Sequence, residues 1–209
     1  MPKVQGYKQV YLNEMMEMLD DGENRAKEIL SSFSCPLNPD VEDFLRHKAI
    51  DFARQGIAQT VLVFASHKQE LALLGYYTLA NKVIFVPKKA VSRTMGKRVA
   101  KFGVYNDDRR GYTIAAPLIA QLGKNFTDGL NKVMHGDELL NMACNKIMET
   151  QLVLGGRFTY VECEDKPQLI EFYTRNGFCD FAKRNLDKDE TDTLSGSYLV
   201  QLLKYIHRK

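Results

Sequence analysis

The segment from residue 157 to residue 178 constrains the fold of this chain more than any other stretch. It reads RFTYVECEDKPQLIEFYTRNGF. The pattern predicts a short strand over RFTYVEC, followed by an amphipathic helix over KPQLIEFYTRN. The helix is expected to stop at Gly177, and a new strand is expected to begin at Phe178. This close succession of strand, helix and strand indicates a mixed α/β fold.

The composition of the chain excludes several classes of protein. Of its 209 residues, 44% are hydrophobic and 26% are charged, as in a globular protein with a sizeable core. No apolar run approaches the roughly 18 residues that a membrane span needs, and the polar first ten residues argue against a signal peptide. A net charge of +3 does not by itself imply a nucleic-acid partner. We therefore expect a cytoplasmic protein without a membrane anchor.

The cysteines do not have the spacing of a metal site. Cys35, Cys144, Cys163 and Cys179 form no CxxC or CxxH pair, so no metal is expected. Their even number allows two disulfides, but a chain of this length does not need them for stability. Buried, reduced thiols are the favoured interpretation.

Hydrophobic periodicity places the elements in the first third of the chain. Residues 13–32 predict a helical segment with a break at Gly22. Asn38 or Asp40 can cap a further helix that ends at Gly56. Two strand-like runs, 58–65 and 71–80, are separated by a short polar turn and predict a hairpin.

The middle of the chain contains the longest apolar run. Residues 112–122 (YTIAAPLIAQL) predict one central strand with an irregularity at Pro117, because proline cannot donate to a sheet ladder. Residues 84–86 are expected to extend the hairpin sheet, and 137–154 predict a helix. Residues 88–110 hold eight Lys or Arg against two Asp and interrupt the pattern, which predicts a solvated, partly helical insertion.

Four segments in this order resemble the GNAT acyltransferase superfamily: FSCPLNPDVEDFL, GYYTLA, the strand, loop and helix around Gly136, and EFYTRNGF. The resemblance covers about residues 33–206, and the first two segments look like the branch that contains tRNA-acetylating toxins. It implies a GNAT-like fold, with a central splayed mixed sheet flanked by helices. We expect one domain over 1–209, with an N-terminal helical segment (1–32) and a basic insertion (88–110).

The same resemblance implies an acetyl-CoA-dependent N-acetyltransferase of bacterial origin. It would move an acetyl group to a primary amine by direct attack, without an acyl-enzyme. In the superfamily, a loop before a helix holds the pyrophosphate through a Gln or Arg, two residues, Gly, one residue, and Gly or Ala. Aligning the last position with Gly136 places Met134 at the first glycine and Asn131 at the Gln or Arg, so two of three positions depart from the pattern.

The residues expected to hold acetyl-CoA lie on the central strand and in this loop. A helix N-terminus offers unpaired N–H groups to phosphate, and a splayed strand offers its main chain to the pantetheine arm. Asp137 and Glu138 in the first helical turn would weaken the attraction for phosphate unless their side chains turn away. Lys132 and His135 can supply positive charge in the same loop. The assigned residues are Ile119, Ala120, Gln121, Leu122, Gly129, Asn131, Lys132, His135, Gly136 and Asp137.

Tyr173 is the main catalytic candidate, because the resemblance places it beside the thioester sulfur. A phenol can protonate the departing thiolate. Glu164 is the expected general base, although a surface salt bridge is an alternative for it as for Glu162. Cys163 lies between them, and no histidine has an evident reason to meet it, so a structural cysteine is favoured over a nucleophile.

The acceptor and the partners stay open at the level of sequence. A small amine, a protein amine and aminoacyl-tRNA are all compatible with the resemblance, and homodimers are common in the superfamily. The basic insertion from Lys88 to Arg110 could attract tRNA, but it could equally be a solvated helix. A non-catalytic, GNAT-derived binding or regulatory module is the alternative to an enzyme, because the phosphate loop departs from its pattern.

Overall fold

The computed structural model describes residues 6–18, 20–188, 190–191, 194 and 196–207. These residues form two compact units. The first unit contains the described residues of 1–80 and 120–143, and the second contains those of 81–119 and 144–209. No helix in the described part of the chain is long and apolar enough to cross a membrane.

The first half of the chain begins with a strand and continues with a series of short helices. In chain order, the elements are β1 (Lys8–Tyr11), α1 (Leu12–Met18), α2 (Gly22–Ser31), α3 (Pro39–Asp43), a π-helical turn (Phe44–Lys48), α4 (Ala49–Arg54), β2 (Gln59–His67), β3 (Glu70–Ala80), β4 (Val83–Pro87), α5 (Arg93–Phe102) and β5 (Val104–Asn106).

Longer strands and the longest helix follow in the second half. The elements are β6 (Gly111–Ala115), β7 (Leu118–Lys124), a 3₁₀-helix (Thr127–Lys132), α6 (Gly136–Leu154), β8 (Phe158–Glu164), α7 (Pro167–Arg175), β9 (Cys179–Asn185) and β10 (Tyr198–Tyr205).

The strands form a mixed α/β arrangement, as the sequence predicted. In the first unit the hydrogen-bonded order is β1-β2-β3-β7, and in the second unit it is β7-β8-β10-β9. The predicted hairpin is confirmed: β2 and β3 pair antiparallel up to His67 and Glu70, and Lys68 and Gln69 form the turn with positive φ. The expected helix after Gly136 is α6.

The N-terminal segment differs in part from its prediction. Helices α1 and α2 are present, and α2 begins at the expected break, Gly22. Strand β1 was not predicted from the sequence, because its four residues are too few for a readable period and it forms by pairing with β2. Residues 1–5 and 19 of the predicted segment 1–32 lie outside the described residues.

The prediction of one central strand over residues 112–122 is wrong. The run divides at Ala116 and Pro117 into β6 and β7, which belong to different sheets. Strand β6 joins a three-stranded sheet of order β4-β6-β5, so the expectation that residues 84–86 extend the hairpin sheet is also wrong. Pro117 has no N–H for a ladder, and its carbonyl instead accepts hydrogen bonds from the Tyr160 N–H (3.1 Å) and the Thr159 hydroxyl (2.9 Å).

The C-terminal end of α7 explains why the segment 157–178 predicted the end of this helix correctly. Gly177 has a φ of 84°, and its N–H donates to Thr174 O, while the Phe178 N–H donates to Tyr173 O. These two bonds define a Schellman motif, whose usual apolar contact is made by the rings of Tyr173 and Phe178, 5.6 Å apart. The motif ends the helix at the predicted glycine and fixes the backbone at Tyr173.

Close packing between β3 and the segment after β7 requires a glycine at position 75. A Cβ built on Gly75 would lie 2.6 Å from the carbonyl oxygen of Gly123 and 3.0 Å from the Cε of Met134. The Gly123 oxygen is main chain, so it cannot move without displacing β7. Strand β3 therefore approaches β7 closely only because residue 75 has no side chain.

We expect Gly75→Ala to lower the free energy of unfolding by about 1–3 kcal/mol, because the added methyl overpacks a backbone contact. Gly96→Ala is the matched control. Gly96 lies inside α5 with 3.9 Å of clearance, so alanine there should gain about 0.5–1 kcal/mol of helix stability. Urea unfolding followed by circular dichroism measures both, and equal stability of the two variants would contradict this packing argument.

Candidate functional site

Strand β7 carries the residues that were predicted to bind the pantetheine arm. Within the second unit, β7 pairs parallel with β8 through Leu118 with Tyr160 and Ile119 with Val161. Ile119 is buried, whereas Ala120, Gln121 and Leu122, which belong to the first unit, are half-buried.

The loop after β7 is shaped by one lysine. The Lys124 ammonium donates to the carbonyl oxygens of Asn131 (2.9 Å) and Met134 (3.3 Å), so it joins the strand end to the loop. Gly129 has a φ of 75°, and a Cβ there would meet no atom within 4 Å. The main chain at Gly129 therefore borders open space, as close approach by a ligand requires.

Met134 stands where the superfamily pattern has a glycine. Its side chain is 1% exposed, and its Cε lies close to the Gly75 backbone. The methionine side chain therefore packs in the core against β3. The departure from the pattern has a packing reason, which the sequence did not reveal.

The first turn of α6 begins at Gly136, one residue before the predicted start. The Glu138 carboxylate turns back and accepts a hydrogen bond from the His135 N–H at 2.7 Å, which satisfies this N–H at the start of the helix. It is also hydrogen-bonded to the Tyr7 phenol, whose pKa is raised by burial and then by the Glu138 charge. Asp137 is half-buried, whereas Lys132 and His135 are exposed at the surface.

Tyr173 is held in the interior of the second unit. It is 9% exposed, and its ring packs edge-on against Phe172 and Phe178. Burial raises its pKa well above the ordinary value, with smaller contributions from Cys163 and Cys144, so the phenol stays protonated at physiological pH. In the described part of the chain, its hydroxyl makes no hydrogen bond, and it is not among the fully buried polar atoms that lack a partner, so the oxygen keeps some exposure.

Glu164 lies at the end of β8 and is paired with a lysine. Glu164 is 8% exposed, and its Oε2 accepts from the Lys166 ammonium at 2.7 Å. Its role as general base stays a prediction.

Cys163 has the properties of a structural thiol. Burial, followed by the negative charges of Asp165, Glu164 and Asp180, raises its pKa to about 12. Because the thiolate is the nucleophile, a thiol that deprotonates only near pH 12 is inert under physiological conditions. All four cysteines are unpaired, and three of them are buried.

Two polar arrangements in the structure were missed by sequence reasoning. On β8, Glu162 accepts from Arg184 Nε at 2.9 Å and from Gln201 Nε2 at 2.6 Å, and the same arginine holds Glu190. On β7, the Gln121 amide donates to Asp40 Oδ2 at 3.0 Å. Asp40 and Gln121 are 81 residues apart, so no local pattern could have paired them.

The described residues contain no group of three or more His, Cys, Asp or Glu side chains that could hold a metal ion. No family model matches the sequence, and no curated protein matches it.

Solved structures, in contrast, match almost the whole chain. AtaT complexed with acetyl-methionyl-tRNAfMet is 18% identical, with a TM-score of 0.61, and covers 93% of this chain and 94% of its own. A Tyr-to-Phe mutant of KacT is 14% identical, with a TM-score of 0.59 and 95% of both chains covered.

A third structure shows a Tyr-to-Phe mutant of the toxin AtaT bound to the C-terminus of the antitoxin AtaR and acetyl-CoA. It is 15% identical, with a TM-score of 0.57, and the match covers 96% of this chain and 94% of that one. At these identities the likeness establishes the fold. The mixed α/β, GNAT-like fold predicted from the sequence is confirmed.

We expect Cys163 to resist alkylation by iodoacetamide at pH 8, because its raised pKa leaves almost no thiolate below about pH 11. Half-exposed Cys179 should react first among the four, since it is the most accessible. Peptide mapping by mass spectrometry measures both rates, and the same labelling in about 6 M guanidinium is the control, where all four should react. Fast native labelling of Cys163 would contradict the assignment of an inert thiol.

Proposed function

We propose that this protein is an acetyl-CoA-dependent N-acetyltransferase that moves the acetyl group to a primary amine by direct attack. The observation that carries the proposal is Tyr173: a protonated phenol in the interior, with no protein partner for its hydroxyl among the described residues. A protonated phenol whose hydroxyl is not engaged by the protein can donate to a bound ligand. The toxin AtaT, which has this fold, has been seen with acetyl-CoA bound.

In this proposal Tyr173 assists the leaving group. The amine attacks the thioester carbonyl, the C–S bond breaks, and the sulfur leaves as a thiolate. Tyr173 donates a hydrogen bond to that thiolate and then its proton, and it regains a proton from solvent. The acceptor nitrogen loses its extra proton to water. The raised pKa keeps the proton on Tyr173 until the negative charge develops on sulfur.

The residues of the first unit fit the coenzyme. The half-buried backbone at 120–122 would pair with the pantetheine arm, and the loop before α6 would take the pyrophosphate. Three features support the second assignment: open space at Gly129, a loop fixed by Lys124, and a Glu138 side chain that is engaged by His135 and Tyr7. Lys132 and His135 are exposed and can supply positive charge.

We expect Tyr173→Phe to lower kcat by about 10²- to 10⁴-fold, the range typical of a lost general acid, and to change the Kd of acetyl-CoA by less than about threefold. Transfer assays with a panel of amines measure kcat, and calorimetry measures Kd. Tyr205→Phe is the matched control, because it removes a phenol oxygen from the same unit and should leave both constants unchanged.

Two results would count against this function. Full activity of Tyr173→Phe would remove the role of the phenol. Absence of binding heat when the wild type is titrated with acetyl-CoA would favour the alternative, a non-catalytic module derived from this fold.

Aminoacyl-tRNA is the second candidate acceptor, because α5 carries a basic stripe. Arg93, Lys97 and Lys101 are spaced by four residues, so they share one face of the helix, and all three are exposed. Arg98 stacks on the Tyr205 ring at 4.6 Å, so it is partly withdrawn from this face. Regularly spaced cations of this kind fit a nucleic-acid backbone. AtaT, of similar fold, has been seen with acetyl-methionyl-tRNAfMet.

We expect the triple variant Arg93→Gln, Lys97→Gln, Lys101→Gln to raise KM for aminoacyl-tRNA by roughly tenfold or more at about 0.15 M salt, because up to three phosphate contacts would be lost. A small amine serves as the internal control, since its KM should stay unchanged. If the triple variant changes KM for aminoacyl-tRNA and for the small amine by the same factor, the basic stripe does not bind RNA.

A homodimer, a cytoplasmic location, a bacterial origin and the organisation as one domain remain predictions.

A further inference from the structure

We propose that the outer face of the three-stranded sheet is a binding surface for single-stranded nucleic acid. An unpaired base would stack on the Arg109 guanidinium, and neighbouring cations would hold the phosphates. The inference goes beyond the proposed function, because it would hold even if the chain transferred no acetyl group. The side chains of the outer face belong to Val83, Phe85, Val104, Asn106, Thr113 and Ala115.

The outer face of this sheet is open to solvent, whereas the inner face is covered. Side chains alternate along each strand, so the paired residues Ile84 and Ile114 belong to the inner face. Both are buried, and a Cβ built on Gly103, directly after α5, would lie 2.6 Å from Ile114 Cγ2. On the outer face, Val83 is 68% exposed and Val104 is 76% exposed. The sheet therefore presents apolar side chains to solvent on the side away from α5.

The Arg109 guanidinium is held on the outer face by an aromatic ring. A Cβ built on Gly111 would lie 2.4 Å from Cζ of Phe85, so the ring takes up the space that a side chain at residue 111 would need. The Arg109 Cζ lies 3.8 Å from the centroid of this ring, in a cation–π contact. The Arg109 N–H donates to Asn106 Oδ1 at 2.8 Å, so the turn that carries the arginine is fixed as well. Arg109 is exposed, and a planar guanidinium held in this way is a surface on which an unpaired base can stack.

Four cations meet at one end of this sheet. Lys88 and Lys89 follow β4, whereas Arg109 and Arg110 precede β6. The Lys88 N–H donates to the Arg110 carbonyl at 3.1 Å, so the two turns are adjacent. All four side chains are exposed, and in the part of the chain that the structure describes none of them forms an ion pair, although two aspartates directly precede Arg109. The excess of positive charge attracts the phosphates of a nucleic acid to this end of the sheet.

The stacked guanidinium and the cations together favour a single strand over another anionic partner. The cations alone would attract any polyanion, including an anionic membrane surface. The guanidinium adds a preference for a flat partner, and the bases of a single strand are free to stack, whereas those of a duplex are stacked on one another. A surface that combines an aromatic ring with cations is a recurrent platform for single strands. Unpaired bases joined by phosphates are therefore the partner that uses both features.

The test measures the binding of fluorescein-labelled single strands of about 12 nucleotides by fluorescence anisotropy, with the full chain and without coenzyme. One strand is RNA and the other is DNA of the same sequence, and the strand that binds more tightly identifies the kind of partner. Arg109→Lys keeps the positive charge and removes the planar group. We expect it to raise the Kd about fivefold or more, with an unchanged dependence on salt.

A second variant separates phosphate contacts from stacking. Lys89→Gln removes one cation, so the slope of log Kd against log salt concentration should fall by about 0.7. Lys188→Gln is the matched control, because it removes an exposed lysine after β9 and should leave both Kd and slope unchanged.

Every outcome bears on this surface independently of acetyl transfer. The inference is wrong if Arg109→Lys binds as tightly as the wild type, or if inorganic polyphosphate or phosphatidylserine vesicles displace the labelled strand as well as the unlabelled strand does. It is also wrong if the wild type binds neither strand at about 100 μM protein and about 0.05 M salt, and the acetyltransferase proposal then still stands. Should Arg109→Lys not fold, Phe85→Leu replaces it: the guanidinium loses its ring, and the Kd should rise about threefold or more. An unchanged Kd in that variant overturns the inference.

Discussion

The arrangement of the strands depends on Pro117, which has no N–H group to donate to a sheet ladder. Pro117 interrupts an apolar run that would otherwise be one long strand, and the chain leaves the three-stranded sheet at Ala115. The Pro117 carbonyl accepts from the Tyr160 N–H, and the pairs of Leu118 with Tyr160 and Ile119 with Val161 follow directly. The beginning of β7 thus follows from one residue that cannot donate.

A second constraint is the close approach of the chain at Gly75. The missing side chain lets β3 approach the Gly123 carbonyl and leaves room for Met134 in the core. Lys124 then fixes the loop through the carbonyls of Asn131 and Met134. The loop therefore has a defined shape although it lacks two of the three residues of the superfamily pattern. In the proposed function, backbone N–H groups and the helix end of this loop would bind phosphate in place of the motif residues.

The ionisable side chains Tyr173, Cys163, Glu162 and Glu164 have different electrostatic surroundings. Burial keeps Tyr173 protonated and Cys163 inert, because both charged forms would be desolvated. Glu162 and Glu164 are paired with cations, Arg184 and Lys166. The proposed role of Tyr173 follows from its surroundings, because a proton donor has to stay neutral until charge develops.

The sequence by itself determined the elements whose signals are local. The segment 157–178 specified β8, α7 and the start of β9, because a Schellman motif needs a glycine at one fixed place and Tyr173 precedes it by four residues. The start of α2 at Gly22, the hairpin turn and the cap at Asn38 could be predicted for the same reason, because each depends on residues close together in the sequence.

Only the tertiary structure decided the features that depend on distant partners. Strand β1 forms by pairing with β2, and Met134 is accommodated in the loop before α6 because Gly75 leaves space for its side chain. The hydrogen bond between Asp40 and Gln121 joins residues 81 positions apart in the sequence. A linear pattern records the periodicity of one element, whereas these contacts depend on how separate elements pack together.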